Sequence, residues 1–263
     1  HVRAKRLTTE DLAALASHNA RDEAFIGVFN QFLSKYELEL SKKKLPDYAE
    51  LIHGAADAIS NGSYEFGFSH LLVDEFQDIS SDRNRLIDAM KQANPNLEVT
   101  CVGDDWQSIY RFNGSDVSIM REASKPKLIR KRVDLTATYR LPQVIADISR
   151  EFILKNPLQL PKKVISKSDL NVPGKVIVHW DCEQKETKEN LTKIINRIGS
   201  DAKDPAMSIR ILARYVNNLP DLKLVESLWE GPIDISSIHA AKGLEADYVV
   251  VMDMVQDFRG FPS

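Results

Sequence analysis

Leu71-Leu72-Val73-Asp74-Glu75-Phe76-Gln77-Asp78 is the stretch on which the reading of this chain turns. A short apolar run stops abruptly at two adjacent carboxylates, and a further acid follows at Asp78. This is the pattern of a buried strand whose tip carries charge. Neighbouring residues at a strand tip project in opposing directions, so Asp74 and Glu75 can do different work. One carboxylate can hold Mg²⁺, largely through water, because that ion keeps part of its hydration shell. The next can orient and deprotonate the water that attacks a γ-phosphate. A bare Asp-Glu pair is equally a solvated turn, but the complete Asp-Glu-Phe-Gln-Asp sequence after an apolar run weighs against that.

Working outward, short apolar runs recur at 70–73, 99–102, 133–137, 176–180, 209–213, 233–238 and 248–252. Amphipathic stretches at 83–93, 142–154, 187–198 and 219–229 lie between them. This alternation predicts an α/β fold, with parallel sheet and helices on both faces. Chemistry in such sheets gathers beyond the carboxyl ends of the strands. The first 68 residues instead read as helices. Thr9 is a candidate cap for the first, and Phe25, Val28, Phe29, Phe32, Leu33 and Tyr36 recur at helical spacing. Pro46 and Asp47 open a third helix that ends near Asn61-Gly62. A boundary is expected between 137 and 142, close to Arg140. The expected division is a helical segment 1–68, a partial first α/β domain 69–137 and a partial second one 138–263.

Composition narrows the class. Hydrophobic residues make up 43% of the 263 and charged residues 28%, which suits a water-soluble domain. No apolar run reaches the roughly 18 residues of a membrane helix, and no apolar core follows the basic start at His1–Arg6, so neither membrane nor signal peptide is expected. Two distant cysteines, Cys101 and Cys182, make neither a disulfide framework nor a metal cluster and suit a reducing, cytoplasmic setting. The net charge of −3 does not announce nucleic acid, although Lys42-Lys43-Lys44 and the stretch 125–132 are locally basic. Such runs are usually solvated faces, yet a narrow basic track suffices to follow a phosphate backbone.

A second chemical stretch, Val102-Gly103-Asp104-Asp105-Trp106-Gln107-Ser108-Ile109-Tyr110-Arg111-Phe112-Asn113-Gly114, also begins at a strand end, where Gly103 is read as permitting a sharp turn. Gln107 is a neutral donor and acceptor that can report a γ-phosphate. Tyr110 and Phe112 are two apart, which on extended backbone puts both rings on one side. Rings beside Arg111 can stack on the bases of a single strand. Isolated aromatics are more often core; polar neighbours and Gly114 weaken that alternative here.

Asp-Glu-Phe-Gln-Asp followed about 25 residues later by this stretch resembles motifs II and III of the UvrD/Rep helicases of superfamily 1, in the form typical of helicase IV. Two further matches follow in order. Thr138-Tyr139-Arg140 is similar to motif IV, and Ile235-Ser236-Ser237-Ile238-His239-Ala240-Ala241-Lys242-Gly243-Leu244-Glu245 to motif V. The resemblance covers 69–263 and implies two RecA-like P-loop NTPase sheets. It implies that Asp74 binds Mg²⁺, Glu75 polarises water, and Gln107 and Arg140 sense the γ-phosphate of ATP. It further implies that Tyr139 stacks on adenine, that Glu245 holds the sugar, and that Tyr110, Phe112 and His239 touch DNA. The implied partner is single-stranded DNA, or a duplex with a single-stranded tail; the sequence does not fix the oligomeric state, and a monomer is favoured. Ala246 stands where the family often has Phe.

No Gly-x-x-x-x-Gly-Lys-Ser/Thr loop occurs, and no motif VI follows motif V, so the sequence reads as the central fragment of a larger motor, inactive on its own. The interval between Arg140 and Ser236 is about 95 residues, too few for the large helical subdomain that many relatives insert there. Two rival readings stand beside the helicase: a nucleic-acid-bound ATPase that displaces or remodels protein partners without unwinding, and a catalytically dead domain.

Overall fold

The structure, a computed structural model, describes residues 2–3, 5–15, 20–123, 131–168, 174–179, 187–202, 204 and 206–254. Most of the basic stretch 125–132, and Cys182, lie outside the described residues. The chain divides into two compact units. One comprises 1–134 with 158–160, and the other 135–157 with 161–263.

The first unit opens with three helices, α1 (Thr9–Leu15), α2 (Ala20–Lys43) and α3 (Tyr48–Ser60). The cap of α1 is Thr8 rather than Thr9. The Thr8 hydroxyl accepts from the Asp11 N–H, and the Asp11 carboxylate accepts from Thr8 N–H in return. Acidic residues three positions after a hydroxyl satisfy two orphan donors at once, and that reciprocity selects Thr8. The Asp47 carboxylate caps α3 by accepting from Glu50 N–H, and Gly62 follows its end at φ +73°, as the sequence led one to expect. α3 packs on α4 (Ser81–Ala93) through Ala56, Ile59 and Ala89, with Phe66, Leu86 and Met90 around them.

α4 connects β1 (His70–Val73) to β2 (Glu98–Cys101), which pair in parallel with Leu71 opposite Val99 and Val73 opposite Cys101. This is a βαβ unit. The pairing runs on past the strands: Val102 N–H donates to Val73 O, and Phe76 N–H to Val102 O, each at 2.8 Å. The two chains therefore enter their loops side by side. β1 is less covered than a buried strand. Leu72 is 77% exposed and no residue of β1 is fully buried, because among the described residues β2 is its only neighbour. α5 (Val117–Ala123) closes this unit.

In the second unit the expected strand 133–137 shrinks to β3 (Ala137–Thr138), paired in parallel with β4 (Ile165–Ser166). Val133 and Leu135 remain exposed, without a strand partner to hold them extended. α6 (Gln143–Ile153) lies between β3 and β4. Of the strand expected at 176–180, residues 176–179 are irregular and residue 180 lies outside the described residues. The main sheet has the order β6–β5–β7, all parallel: β5 (Ile209–Ala213) lies between β6 (Ile233–Ser237) and β7 (Tyr248–Val251). Ile209 and Ile211 of β5 pack with Leu191 and Ile195 of α7 (Thr187–Asp201) and with Val225 of α8 (Leu222–Glu226), and Ala213 is buried as well. α8 is shorter than the expected 219–229. Pro220 keeps Leu219 extended at ψ 143°, and the Asp221 carboxylate then caps the helix by accepting from Lys223 and Leu224 N–H. Among the described residues of 141–235 the α-helices are α6, α7 and α8. No described helix is long and apolar enough to cross a membrane.

Candidate functional site

In the first unit the chemistry gathers where β1 and β2 end. Asp74 and Glu75 leave β1 together, and the Asp74 carboxylate accepts from Glu75 N–H at 2.8 Å. Glu75 sits at φ 49°, ψ 41°, the left-handed region that a branched backbone substituent disfavours by about 1–3 kcal/mol. The surrounding contacts hold it there. Phe76–Asp78 then form one tight helical turn, with Phe76 and Gln77 buried. Gln77 is 1% exposed; its amide N–H donates to the Glu75 carboxylate, and its carbonyl accepts from Asp104 N–H at 2.8 Å.

That last bond joins the loop after β2. Asp104 accepts from Trp106 N–H at 3.0 Å and from the Gln107 amide at 2.9 Å, holding the short helical turn Asp105–Gln107. Gly103 does not adopt a positive φ, so the sharp turn read from the sequence is not its role. Its role is close approach, because a Cβ there would lie 2.7 Å from Gln77 Oε1 and 3.0 Å from Phe76 N. Asp105 is buried and accepts from Leu160 N–H at 2.7 Å, while Trp106 Nε1 donates to Leu160 O at 3.0 Å. Two side chains of the loop thus clasp 158–160.

Tyr110 and Phe112 do come together, with ring centroids 6.1 Å apart and planes at 60°. The reason is not extended backbone. Arg111–Asn113 form a tight helical turn that Gly114 ends at φ +96°. Phe112 is 66% exposed, available for stacking.

In the second unit Tyr139 and Arg140 follow β3 directly, and Tyr139 is 75% exposed. The Arg140 Nε donates to Glu245 Oε1 at 2.6 Å, an ion pair across 105 residues of sequence. It links the two motifs whose residues are expected on the nucleotide. Both side chains are at least half exposed, so the pair is worth at most about 1 kcal/mol. His239 lies half-buried in the turn after β6, and Ile238 N–H extends the sheet by donating to Ala213 O. Asp247 fixes the start of β7: its carboxylate accepts from Ser208 N–H and hydroxyl, which holds it below the usual carboxylate range.

Sequence reasoning missed Gln77, Asp105 and Asp247 as organising residues. For Gln77 the signal was present, an amide inside the acidic motif. Nothing in the spacing shows that it is buried.

Residues 2–127 match the UvrD/REP helicase N-terminal domain, so the likeness reaches through the helices α1–α3 that no motif marks. Over 257 residues, 96% of the chain, the sequence is 33% identical to DNA helicase IV of Escherichia coli K12. The chain belongs to the UvrD/Rep helicase family. Other relatives include the ATP-dependent DNA helicase PcrA of Leuconostoc citreum, 26% identical over 86% of the chain and 30% of the relative. The ATP-dependent DNA helicase Rep of Buchnera aphidicola (subsp. Schizaphis graminum) is 28% identical over 66% of the chain and 27% of the relative. The chain spans about a third of the length of these relatives, 36% of helicase IV.

The acidic tip of β1 fits a magnesium ion held chiefly by water and phosphate. Among the described residues no group of three or more His, Cys, Asp or Glu side chains forms a metal cage. Mg²⁺ in nucleotide hydrolysis needs none, because one carboxylate, water and phosphate oxygens complete its shell. The exposed Asp74 carboxylate, with one oxygen engaged by Glu75 N–H, suits that arrangement.

Proposed function

We propose that this chain belongs to an ATP-dependent DNA helicase of the helicase IV type, translocating on single-stranded DNA at the expense of ATP. The observation that carries the reading is the connected cluster Glu75–Gln77–Asp104–Gln107, which joins the acidic tip of β1 to the glutamine loop after β2. In a full-length protein the magnesium ion would neutralise phosphate charge beside Asp74. Glu75 takes a proton from the attacking water. Gln107 and Arg140 contact the γ-phosphate, Tyr139 stacks on adenine and Glu245 binds the sugar. Phe112, Tyr110 and His239 face the DNA strand. The proposed domain division is a helical segment 1–68 inserted in a first RecA-like domain, 69–137, with a second from 138.

The test is ATP hydrolysis by the full-length protein with and without single-stranded DNA. The reading requires strong stimulation by DNA, and hydrolysis indifferent to DNA contradicts it. A strand-displacement assay beside a protein-displacement assay then separates unwinding from the remodelling of protein partners.

A further inference from the structure

Gln77 carries neither charge nor nucleophile, yet it is among the most buried side chains of its unit. Its amide is used at both ends. The nitrogen donates to the Glu75 carboxylate and the oxygen accepts from Asp104 N–H at 2.8 Å. These partners fix its orientation, since a carboxylate only accepts and a backbone N–H only donates. Gly103 leaves the space that lets the amide reach across, its missing Cβ lying 2.7 Å from Gln77 Oε1. Main-chain contacts hold the residue from behind: Ser108 Oγ donates to Gln77 O at 3.3 Å. Asp104 in turn accepts from Gln107.

We infer that Gln77 is a positioning residue, which aims the Glu75 carboxylate and ties that aim to the loop bearing Gln107. The inference rests on the reading of Glu75 as the group that activates water. Glu75 leaves β1 in a left-handed backbone conformation, and its carboxylate accepts from the buried amide. That hydrogen bond gives the side chain its direction. Because the same amide is anchored on Asp104, a displacement of the Gln107 loop is transmitted to the Glu75 carboxylate through two hydrogen bonds.

Gln77→Glu in the full-length protein tests this. The new carboxyl keeps an acceptor for Asp104 N–H. When protonated it offers an O–H where the amide N–H stood; when ionised it sets charge against the Glu75 carboxylate. Further acids on the same loop are Asp74 and Asp78, and Asp104 and Asp105 come from the loop after β2. α5, packed on the Phe76–Asp78 turn, brings Arg121 and Glu122. All of these are unchanged by the substitution. The expected result is a kcat that falls at least tenfold as pH rises from 6 to 9, over a range where the parent protein shows no such loss, with the KM for ATP within about threefold. A kcat profile parallel to the parent's overturns the inference. Should Gln77→Glu not accumulate as folded protein, Gln77→Leu is read instead: ATP binding kept with kcat down tenfold or more supports the role, and parental kcat overturns it. Glu75→Gln, run beside these, keeps the two claims apart. If that variant still hydrolyses ATP, the water-activating reading has failed. If it is dead while Gln77 variants behave as the parent, only the positioning role has failed.

Discussion

At the level of single residues, the arrangement assigns unequal penalties to substitutions that look alike. Arg140 is held by Glu245 through a half-exposed ion pair worth at most about 1 kcal/mol. Losing that pair matters little to folding. If Arg140 stabilises charge on a transferring phosphoryl group, losing it matters greatly to rate, on the order of a thousandfold. Arg140→Ala in the full-length protein is therefore expected to leave the melting temperature within about 2 °C of the parent and to cut kcat by roughly 10³. A loss of both together, with kcat recovered at low temperature, would show that Arg140 is structural. The acids of motif II, Gln107 and Arg140 could be proposed from the sequence because the chemistry asked of them depends on residue type and order. The amide of Gln77 was not, because burial and a cross-strand partner are properties of three dimensions. Gly103 was recognised as special for the wrong reason, since a glycine needed for close approach has the same letter as one needed for a turn.

At the level of elements, two packings set the frame. β5 is buried along alternate positions on the face that meets α7 and α8, and Ile211 at its centre is fully enclosed. Ile211→Ala removes most of that side chain from a close-packed site, and a loss of about 2–5 kcal/mol is expected in denaturant unfolding. In the helical region the Asp57 carboxylate of α3 accepts from Arg85 of α4 and, at 2.6 Å, from Arg6. The Arg85 hydrogen bond first, and Arg6 second, lower it to about 2 from an ordinary value of 3.8. A depressed carboxylate contributes stability that is present above its unfolded value and lost as pH falls through the folded one. The contribution of Asp57 thus fades between pH 3.8 and about 2. Asp57→Asn should flatten the pH dependence of unfolding in that window and leave it unchanged above pH 5; an unchanged acid limb would contradict the pairing. Of the elements, the helices α4, α6 and α7 and the strands β1, β2, β5, β6 and β7 were readable, whereas the apolar run at 176–179 forms no strand. The strand expected at 133–137 was not realised beyond two residues. An apolar run forms a strand only where another strand accepts its hydrogen bonds, and sequence periodicity contains no partner.

At the level of the whole molecule, Asp74, Glu75 and Gln107 belong to one compact unit and Tyr139, Arg140 and Glu245 to the other. The chain has no glycine-lysine phosphate loop in its 263 residues, although it matches a third of helicase IV. Without those backbone N–H groups and that lysine, the β- and γ-phosphates lose their main hold. Calorimetry on this chain alone should give no ATP binding at micromolar concentrations, and a micromolar Kd would mean that the phosphates are held in another way.

The most direct measurement is a pair of numbers from Glu75→Gln in the full-length protein: ATP affinity, and the rate of DNA-stimulated hydrolysis. The change swaps a carboxylate for an amide of the same shape. It should leave affinity within a few-fold of the parent and reduce hydrolysis by about a thousandfold or more, since a base has been removed and a binding surface has not. Hydrolysis at the parental rate would remove Glu75, and with it the reading of the β1 tip as the place where water is activated.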